Sequence, residues 1–510
     1  MVFLEDYIHY SLDFLEPNQQ WPPEKDANRL LKYTYQREEF ELTPEDWVEK
    51  MIPDGLLSVI DYGDFISHVR FLGYPRLLTL KTVDMVLGQP PLIAAQGDDA
   101  LTEKIKEVRN SSKFNATMKQ ALIDYSRFGV FLLRVFKDEQ GRAQIVAWNP
   151  REWVPVFYND GTNRIKHNVI GWRHKDDKLG ELLTVQIHNT SDGSYEERTY
   201  SIASHIIGRL LKTEKFNTES KKHLFFAVTN TPTTTNPMGA SDYEIINGLL
   251  QKAIQRLKAI LRVLDEHADP SMTGPHSLLQ RNEKGEMVFY TSKYYATGKD
   301  EEKPSYLTWD GQLDSSFKAF ETLCQQIYIL SEMGEAFLGA GGGAGNVVSG
   351  TAMRFKMISP LEKARRITNE ITEPVKEAIS SLMAIEGSEV RALDINIAWR
   401  DSLPKDPREV AELARLEAGA PAIKPLDKAI MDNYDLDKET ADQYVKDIMV
   451  FLEMYARHTA KQDSTSSIDE TGDGSVDGRS HGPTSSIDIR KKGSPKDPAS
   501  SENRGEDTGK

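Results

Sequence analysis

Cysteine is almost missing from this chain: of 510 residues, Cys324 alone carries a thiol. No disulfide can close within one copy, and no thiolate cage can hold a metal. A reducing compartment is the expected setting. Long hydrophobic runs are missing as well. Stretches such as 128–136 fall far short of the roughly 20 apolar residues that span a bilayer, so a soluble chain with no membrane partner is expected. Met1-Val-Phe-Leu-Glu-Asp6 has no basic segment ahead of an apolar one, so no signal peptide is expected. Positive charge is in deficit. Against 78 Asp and Glu stand 63 Lys and Arg, a net charge of −15. A general nucleic-acid coat needs surplus cations to neutralise phosphates, and that class is excluded. An acidic wall remains compatible with DNA that slides past without sticking.

Catalytic motifs are missing too. The segment Gly339-Ala-Gly-Gly-Gly-Ala-Gly-Asn-Val-Val-Ser-Gly350 invites comparison with a phosphate cradle. A P-loop needs a Lys directly after its glycines to reach the phosphates, and here Asn346-Val-Val-Ser follows. A flexible loop is the simpler expectation, because glycine leaves many backbone states open. Neither G-x-S-x-G nor H-E-x-x-H occurs anywhere. Asp265-Glu-His-Ala-Asp269 gathers possible metal ligands, yet it lies at an expected helix end, where His267 can face the last carbonyls. No metal, cofactor or enzymatic activity is expected.

What is present is a change of texture along a chain too long for one core. Residues 1–123 read as helices and turns; Thr43-Pro44 opens one helix as cap and first residue. From Gly129 to about Val228 short runs rich in Val, Ile, Leu, Tyr and Trp cover 130–136, 144–148, 154–158, 164–172, 182–188 and 195–202. Asn159-Asp-Gly161, Ser191-Asp-Gly193 and similar turns separate them, which predicts a β-meander. After the polar break 229–237, Ser241 or Asp242 caps a long helix to about Asp265. Its expected inward residues are Ile246, Leu249, Leu250, Ala253, Ile254, Leu257, Leu261 and Leu264. A small module at 268–312 carries the β run 287–295. A second helix runs from about Leu313 to Phe337, with Phe317, Phe320, Leu323, Cys324, Ile327, Tyr328, Leu330 and Met333 inward. The two helices should lie antiparallel. A helix over 351–385 should kink at Pro360 and Pro374, and a strand at 392–399 precedes helices from Pro407 to about Arg457. From Gln462 to Lys510 bulky apolar residues almost vanish, so disorder is expected there. Thr-Ser-Ser-Ile-Asp occurs twice in this region, at 465–469 and 484–488.

Six segments in a fixed order resemble the portal, or head-to-tail connector, proteins of tailed bacteriophages. They are Lys81-Thr-Val-Asp-Met-Val-Leu-Gly-Gln-Pro-Pro91; the stretch 121–137 with Gly129, followed by Asn149-Pro-Arg-Glu-Trp153; Met238-Gly-Ala-Ser-Asp-Tyr243; Tyr306-Leu-Thr-Trp-Asp310; Ser349-Gly-Thr-Ala-Met353; and Ile395-Asn-Ile-Ala-Trp-Arg-Asp-Ser-Leu-Pro404 with Asp406 and Glu409. The resemblance implies an α+β portal fold. An N-terminal helical segment and β-rich wing would occupy 1–241, stem helices 242–266 and 313–338, and a small α/β clip 267–312. A tunnel loop would occupy 339–350, a kinked helix and last wing strand 351–404, a helical crown 405–460, and a disordered C-terminal tail 461–510.

The same resemblance implies a homo-oligomeric ring, typically a dodecamer, at a capsid vertex of the virion, assembled in the host cytoplasm. Double-stranded DNA would pass through its channel. Terminase large subunit, major capsid and scaffolding proteins, and head–tail adaptor proteins would be its partners. The implied tunnel-loop residues are Gly339, Gly341, Gly342, Gly343, Gly345, Asn346, Val347 and Val348; the loop has no charge, so steric contact rather than phosphate gripping is expected. Lys252, Arg256, Lys258 and Arg262 on the first stem helix are candidates to face the channel or a neighbouring subunit. Met287, Phe289, Tyr290, Tyr294 and Tyr295 are candidates for clip docking. The competing class, a terminase-like ATPase or nuclease, would need the Walker lysine or carboxylate metal cluster that the sequence lacks.

Overall fold

The computed structural model describes residues 8–41, 73–217, 222–268, 313–334, 355–400, 407–418, 423–434, 436 and 438–466, with two-residue strands at 272–273, 280–281, 287–288 and 305–306. It mixes helices and sheets. The helix expected after Thr43 lies outside these residues. Helices α1 (Ala27–Glu41) and α2 (Tyr74–Leu87) come first, then strand β1 (Leu92–Ala95) and helices α3 (Asp99–Ser111) and α4 (Phe114–Phe128). Pro75 presets the first turn of α2. Asp98 caps α3 by accepting from the Leu101 amide at 2.9 Å.

Eight strands follow: β2 (Val130–Lys137), β3 (Ala143–Ala147), β4 (Trp153–Phe157), β5 (Ile165–Asp176), β6 (Gly180–Asn189), β7 (Tyr195–Ala203), β8 (Ile206–Phe216) and β9 (Phe225–Thr229). β4 to β7 follow the expected antiparallel meander, and β8, which was not among the expected runs, extends it as the edge strand. The expectation of a single meander is corrected in one respect. β2 pairs with β3 and with β9 in a separate three-stranded sheet, Val130 opposite Thr229. That pairing spans the whole meander, so no local turn announces it. β2 is buried almost throughout, as a central strand covered on both faces must be.

Beyond the sheets lie α5 (Asp242–Ala268) and the short strands β10 (Met272–Thr273), β11 (Gln280–Arg281), β12 (Met287–Val288) and β13 (Ser305–Tyr306). β10 pairs with β13 and β11 with β12. Next come α6 (Leu313–Leu330), α7 (Ile358–Ile385) and β14 (Ile395–Ala398), which returns to pair with β1. The strand character of 92–95 was not expected from the sequence, for the same long-range reason. Helix α6 stops at Leu330 rather than Phe337, since Glu332 and Gly334 take φ of 61° and 66°. Pro360 sits in the first turn of α7, where no amide partner is lost, so it is not an interior kink site; Pro374 is interior and cannot donate to the Glu370 carbonyl.

Residues 1–438 form one unit and 439–510 another. The first includes α8 (Pro407–Ala418) and α9 (Leu426–Tyr434); α10 (Lys438–Ser466), from Glu439 on, makes up all of the described part of the second. Because α10 continues through Ser466, the helix overlaps the start of the stretch expected to be disordered, and 467–510 lie outside the described residues.

The main core joins α4 and α7 to β2 and β3 through Phe114, Met118, Leu122, Phe131, Ile145, Ile371, Ala378 and Leu382. A second core lies on the meander, under Phe14, Leu15 and Trp21. A third joins α2, α5 and α6. Two inward expectations fail on each long helix: Leu261 and Leu264 are exposed on α5, and Phe317 and Leu330 on α6. Ile260 is buried instead. A stripe with a 3.6-residue period is wider than the face that one partner helix covers, so periodicity alone cannot choose the covered half.

Gly129 (φ +77°) ends α4, and a Cβ there would meet Ala240 backbone atoms at 2.6 and 2.7 Å. Gly161 (φ +73°) has open space around it. Gly161→Ala should therefore cost only the left-handed backbone penalty, about 1–2 kcal/mol. Gly129→Ala should cost about 3 kcal/mol or more, because strain and backbone overlap add. Urea denaturation of both variants checks this; equal losses would mean the contact at Ala240 relaxes freely.

Candidate functional site

The segment Ser241-Asp-Tyr-Glu244 starts α5 with a capping box. Ser241 Oγ accepts from the Tyr243 amide at 3.1 Å, and Glu244 Oε1 accepts from the Ser241 amide at 2.8 Å. Of the two expected caps, Ser241 is the one used. Asp242 becomes the first helical residue, where the helix dipole favours a carboxylate. Its side chain turns into the protein body rather than to solvent. There Oδ2 pairs with Lys363 Nζ at 3.0 Å and accepts from Ser126 Oγ at 2.7 Å. Oδ1 accepts from Asn230 Nδ2 at 3.3 Å. Beside it, the Tyr243 hydroxyl meets Thr79 Oγ1 at 2.7 Å, which meets Ser126 Oγ at 3.2 Å.

Two glycines make this convergence sterically feasible. Gly129 lies against Ala240, as described, and a Cβ on Gly239 (φ +74°) would meet backbone atoms of Asn230 and Gly129 at 2.7–2.9 Å. In place of those side chains the backbones bond directly: the Asn230 amide to the Gly129 carbonyl at 2.8 Å, and the Ala240 amide to the Asn230 carbonyl at 3.0 Å.

The Lys363 ammonium also donates to the Ser331 carbonyl at 3.3 Å, and Arg366 pairs with Glu332 at 2.7 Å. Residues 331–334, just past α6, are thereby tied to the start of α7. A groove of about 360 Å³ opens here between Ser241, Asp242 and Ile245 on one side and Leu330, Ser331 and Glu332 on the other. The start of α5 thus lies beside the end of α6, which makes the two long helices antiparallel. The glycine segment 339–350, with Gly339, Gly341, Gly342, Gly343, Gly345, Asn346, Val347 and Val348, lies outside the described residues. Ser331 and Glu332 before it and Lys363 and Arg366 after it belong to this junction.

The α5 cations do not gather into one patch. Lys252, Arg256 and Arg262 are exposed and Lys258 is half-buried. At helical spacing, Lys252 and Arg256 share one row while Lys258 and Arg262 share another. Of the clip candidates, Met287 lies in β12, and Phe289, Tyr290, Tyr294 and Tyr295 fall outside the described residues. Among the described residues no group of three or more His, Cys, Asp or Glu is placed to hold a metal; the side chains of 265–269 are outside them. No described helix is long and apolar enough to cross a membrane. Lys363 was missed by the reading of the sequence. A signal existed: it occupies the apolar stripe of α7 in line with Pro360, Ile367 and Ile371, where a cation needs a partner.

Lys363→Met should strand the Asp242 carboxylate and destabilise the protein by about 3–5 kcal/mol. Adding Asp242→Asn should restore most of that loss, as measured by urea denaturation. A single-variant loss below about 1 kcal/mol would show that the pair is not held dry.

Glu39, on α1, is buried and takes a hydrogen bond from Asn247 of α5. Burial pushes its carboxyl from the ordinary 4.5 up to about 7, against that hydrogen bond. The folded state then holds a proton that the unfolded chain has lost, so stability falls as pH rises from about 4.5 to about 7. The fall attributable to Glu39 should approach about 3 kcal/mol. Glu39→Gln should remove it, which denaturation of both proteins at pH 5 and pH 8 tests; parallel pH profiles would refute the assignment.

No curated protein matches the chain in sequence. Among solved structures, a chain from the virion of a native gene transfer agent particle is similar at 11% identity and a TM-score of 0.40, covering 71% of this chain and 90% of that one. A chain from the neck of the empty gene transfer agent particle, computed with C6 symmetry, is similar at 13% identity and a TM-score of 0.42, covering 72% and 93%. The family model of phage portal proteins of the SPP1 Gp6-like type matches residues 71–425. That span is well over half of the chain and takes in the whole junction around Asp242 and Lys363. The chain belongs to the SPP1 Gp6-like family of phage portal proteins.

Proposed function

We propose that this chain is the subunit of a ring, typically dodecameric, that forms the DNA channel at one capsid vertex. The family match across residues 71–425 carries this reading. In it the ring nucleates head assembly, docks the terminase large subunit for packaging, and joins head to tail for ejection. Major capsid, scaffolding and head–tail adaptor proteins are its other partners. Its role is structural rather than enzymatic. Assembly takes place in the host cytoplasm and the ring ends in the virion.

The proposed regions follow the chain. The two sheets are the wing, α5 and α6 the stem, β10 to β13 part of the clip, and α8 to α10 the crown. Helix α5, at 27 residues, is about 40 Å long, enough to line a channel wall. The exposed row Lys252–Arg256 faces either the channel or the acidic groups of a neighbouring subunit. Residues 339–350 are the tunnel loop, touching DNA by shape, since the segment has no charge. The bonded junction holds Glu332 and Arg366, described residues on either side of that segment in the chain, together.

Negative-stain microscopy of the purified protein should show rings with a central hole, and preparations holding only monomers or dimers would overturn the reading. Replacing Gly341-Gly-Gly343 by prolines removes backbone freedom without touching the described packing. The expected result is normal rings and normal motor binding with stalled packaging. Full heads at the normal rate would remove loop mobility from the mechanism.

A further inference from the structure

Arg134, on β2, is held in an unusual way. Its guanidinium lies 5.2, 5.1 and 5.6 Å from the ring centres of Phe136, Trp148 and Trp172. These rings orient the planar group but accept no N–H···O bond. Among the described residues no oxygen accepts a hydrogen bond from it. The contrast with other cations is plain. Arg29 is held by Asp26 and by the Trp153 carbonyl, and the Lys222 ammonium donates to the Ser380 and Val390 carbonyls. Partial burial lowers the pKa of Arg134, and the nearby Tyr195 and Glu197 offset that only in part.

The guanidinium borders a groove of about 790 Å³ between β7, β2 and the end of α7. Roughly 300–1,000 Å³ is usual for ligand sites, far more than a lone carboxylate needs. One wall is aromatic: Tyr195 stacks on Phe216 at 4.6 Å and 12°, and on His188 at 5.1 Å. Phe216 is exposed at the end of the edge strand β8. Gln186, whose amide donates to the Glu197 carboxylate at 2.6 Å, lines the same groove with Asn217 and Glu389, and the cations Lys137 and Lys222 line it too, so that with Arg134 three positive groups face two carboxylates. Those carboxylates disfavour a phosphate chain, which brings many negative charges. A ligand with one negative charge and an apolar neighbour fits the lining better.

We infer that this groove takes an extended peptide segment of a partner protein in which one Asp or Glu side chain adjoins an apolar side chain. The carboxylate pairs with Arg134, and the apolar side chain lies on Tyr195 and Phe216. The inference goes beyond the portal reading and does not depend on ring formation.

Trp148 and Trp172, packed under Arg134, supply the readout. The probe is the capped peptide acetyl-Thr-Ile-Asp-Val-Thr-amide, titrated against the full chain by tryptophan fluorescence and calorimetry. Saturable binding is expected, at least about 10-fold weaker for the same peptide with Asn in place of Asp, since a charge-assisted bidentate pair is lost. Arg134→Met should abolish binding, and Arg134→Lys should weaken it several-fold while keeping the charge. Phe216→Ser, a surface change that does not threaten the fold, should also weaken it. Circular dichroism checks that each variant is folded, and if Arg134→Met unfolds, the other two variants decide. Equal affinity for the Asp and Asn peptides would overturn the inference. So would full binding by the folded variants, or no saturation at millimolar peptide. A single-stranded oligonucleotide that binds in an Arg134-dependent way where the peptide does not would overturn it too.

Discussion

The carboxylate of Asp242 and the ammonium of Lys363 form one largely buried ion pair at the edge of a groove, and the rest of the junction depends on it. Each group is bonded further, Asp242 to Ser126 and Asn230, Lys363 to the Ser331 carbonyl. Removing two charges from water costs several kcal/mol, and that cost is offset only when the geometry is met in full. The pair therefore adds little net stability but much specificity. If α4, α5, α7 or the end of α6 shifts by a turn, a buried charge is stranded.

Backbone contact makes that geometry reachable. Helix α4 ends and α5 begins at nearly the same place, and the chain between them must return from the far side of the meander. Gly129 and Gly239 let three backbone segments meet at hydrogen-bonding distance. Any side chain there would hold them apart. The three-stranded sheet and the start of α5 are thereby bonded to one another through the backbone of Gly129, Asn230 and Ala240.

Charge, too, is largely committed within the subunit. The chain carries a net −15, yet many of its cations are committed to local partners: Arg127 to Asp124, Arg366 to Glu332, Lys363 to Asp242. Such cations do not contribute a field that would hold DNA. Arg134 differs because aromatic rings rather than oxygens hold it. The exposed Lys252–Arg256 row differs because it stands on solvent-facing helix surface.

Much of this was legible in the sequence, where the signal is local. Asp160-Gly161 and Asp192-Gly193 marked two connections of the meander because Asx-Gly favours tight chain reversal, although both loops are longer than two residues. The apolar stripe marked α5 and α6, and Ser241 or Asp242 marked the start of α5. The segment Met238-Gly-Ala-Ser-Asp-Tyr243 was one of the six that together resembled the family, and in the structure it is a close-approach glycine, a cap and a buried carboxylate in succession. Tertiary structure alone decided the rest. Pairings of β2 with β9 and of β1 with β14 join strands far apart in sequence, and no short window encodes their register. The covered half of each apolar stripe depended on which helix packed against it, so Leu261, Leu264, Phe317 and Leu330 came out exposed. Lys363 found its partner some 120 residues away. A periodic pattern states that a face will be buried, and only the packed neighbours determine what buries it.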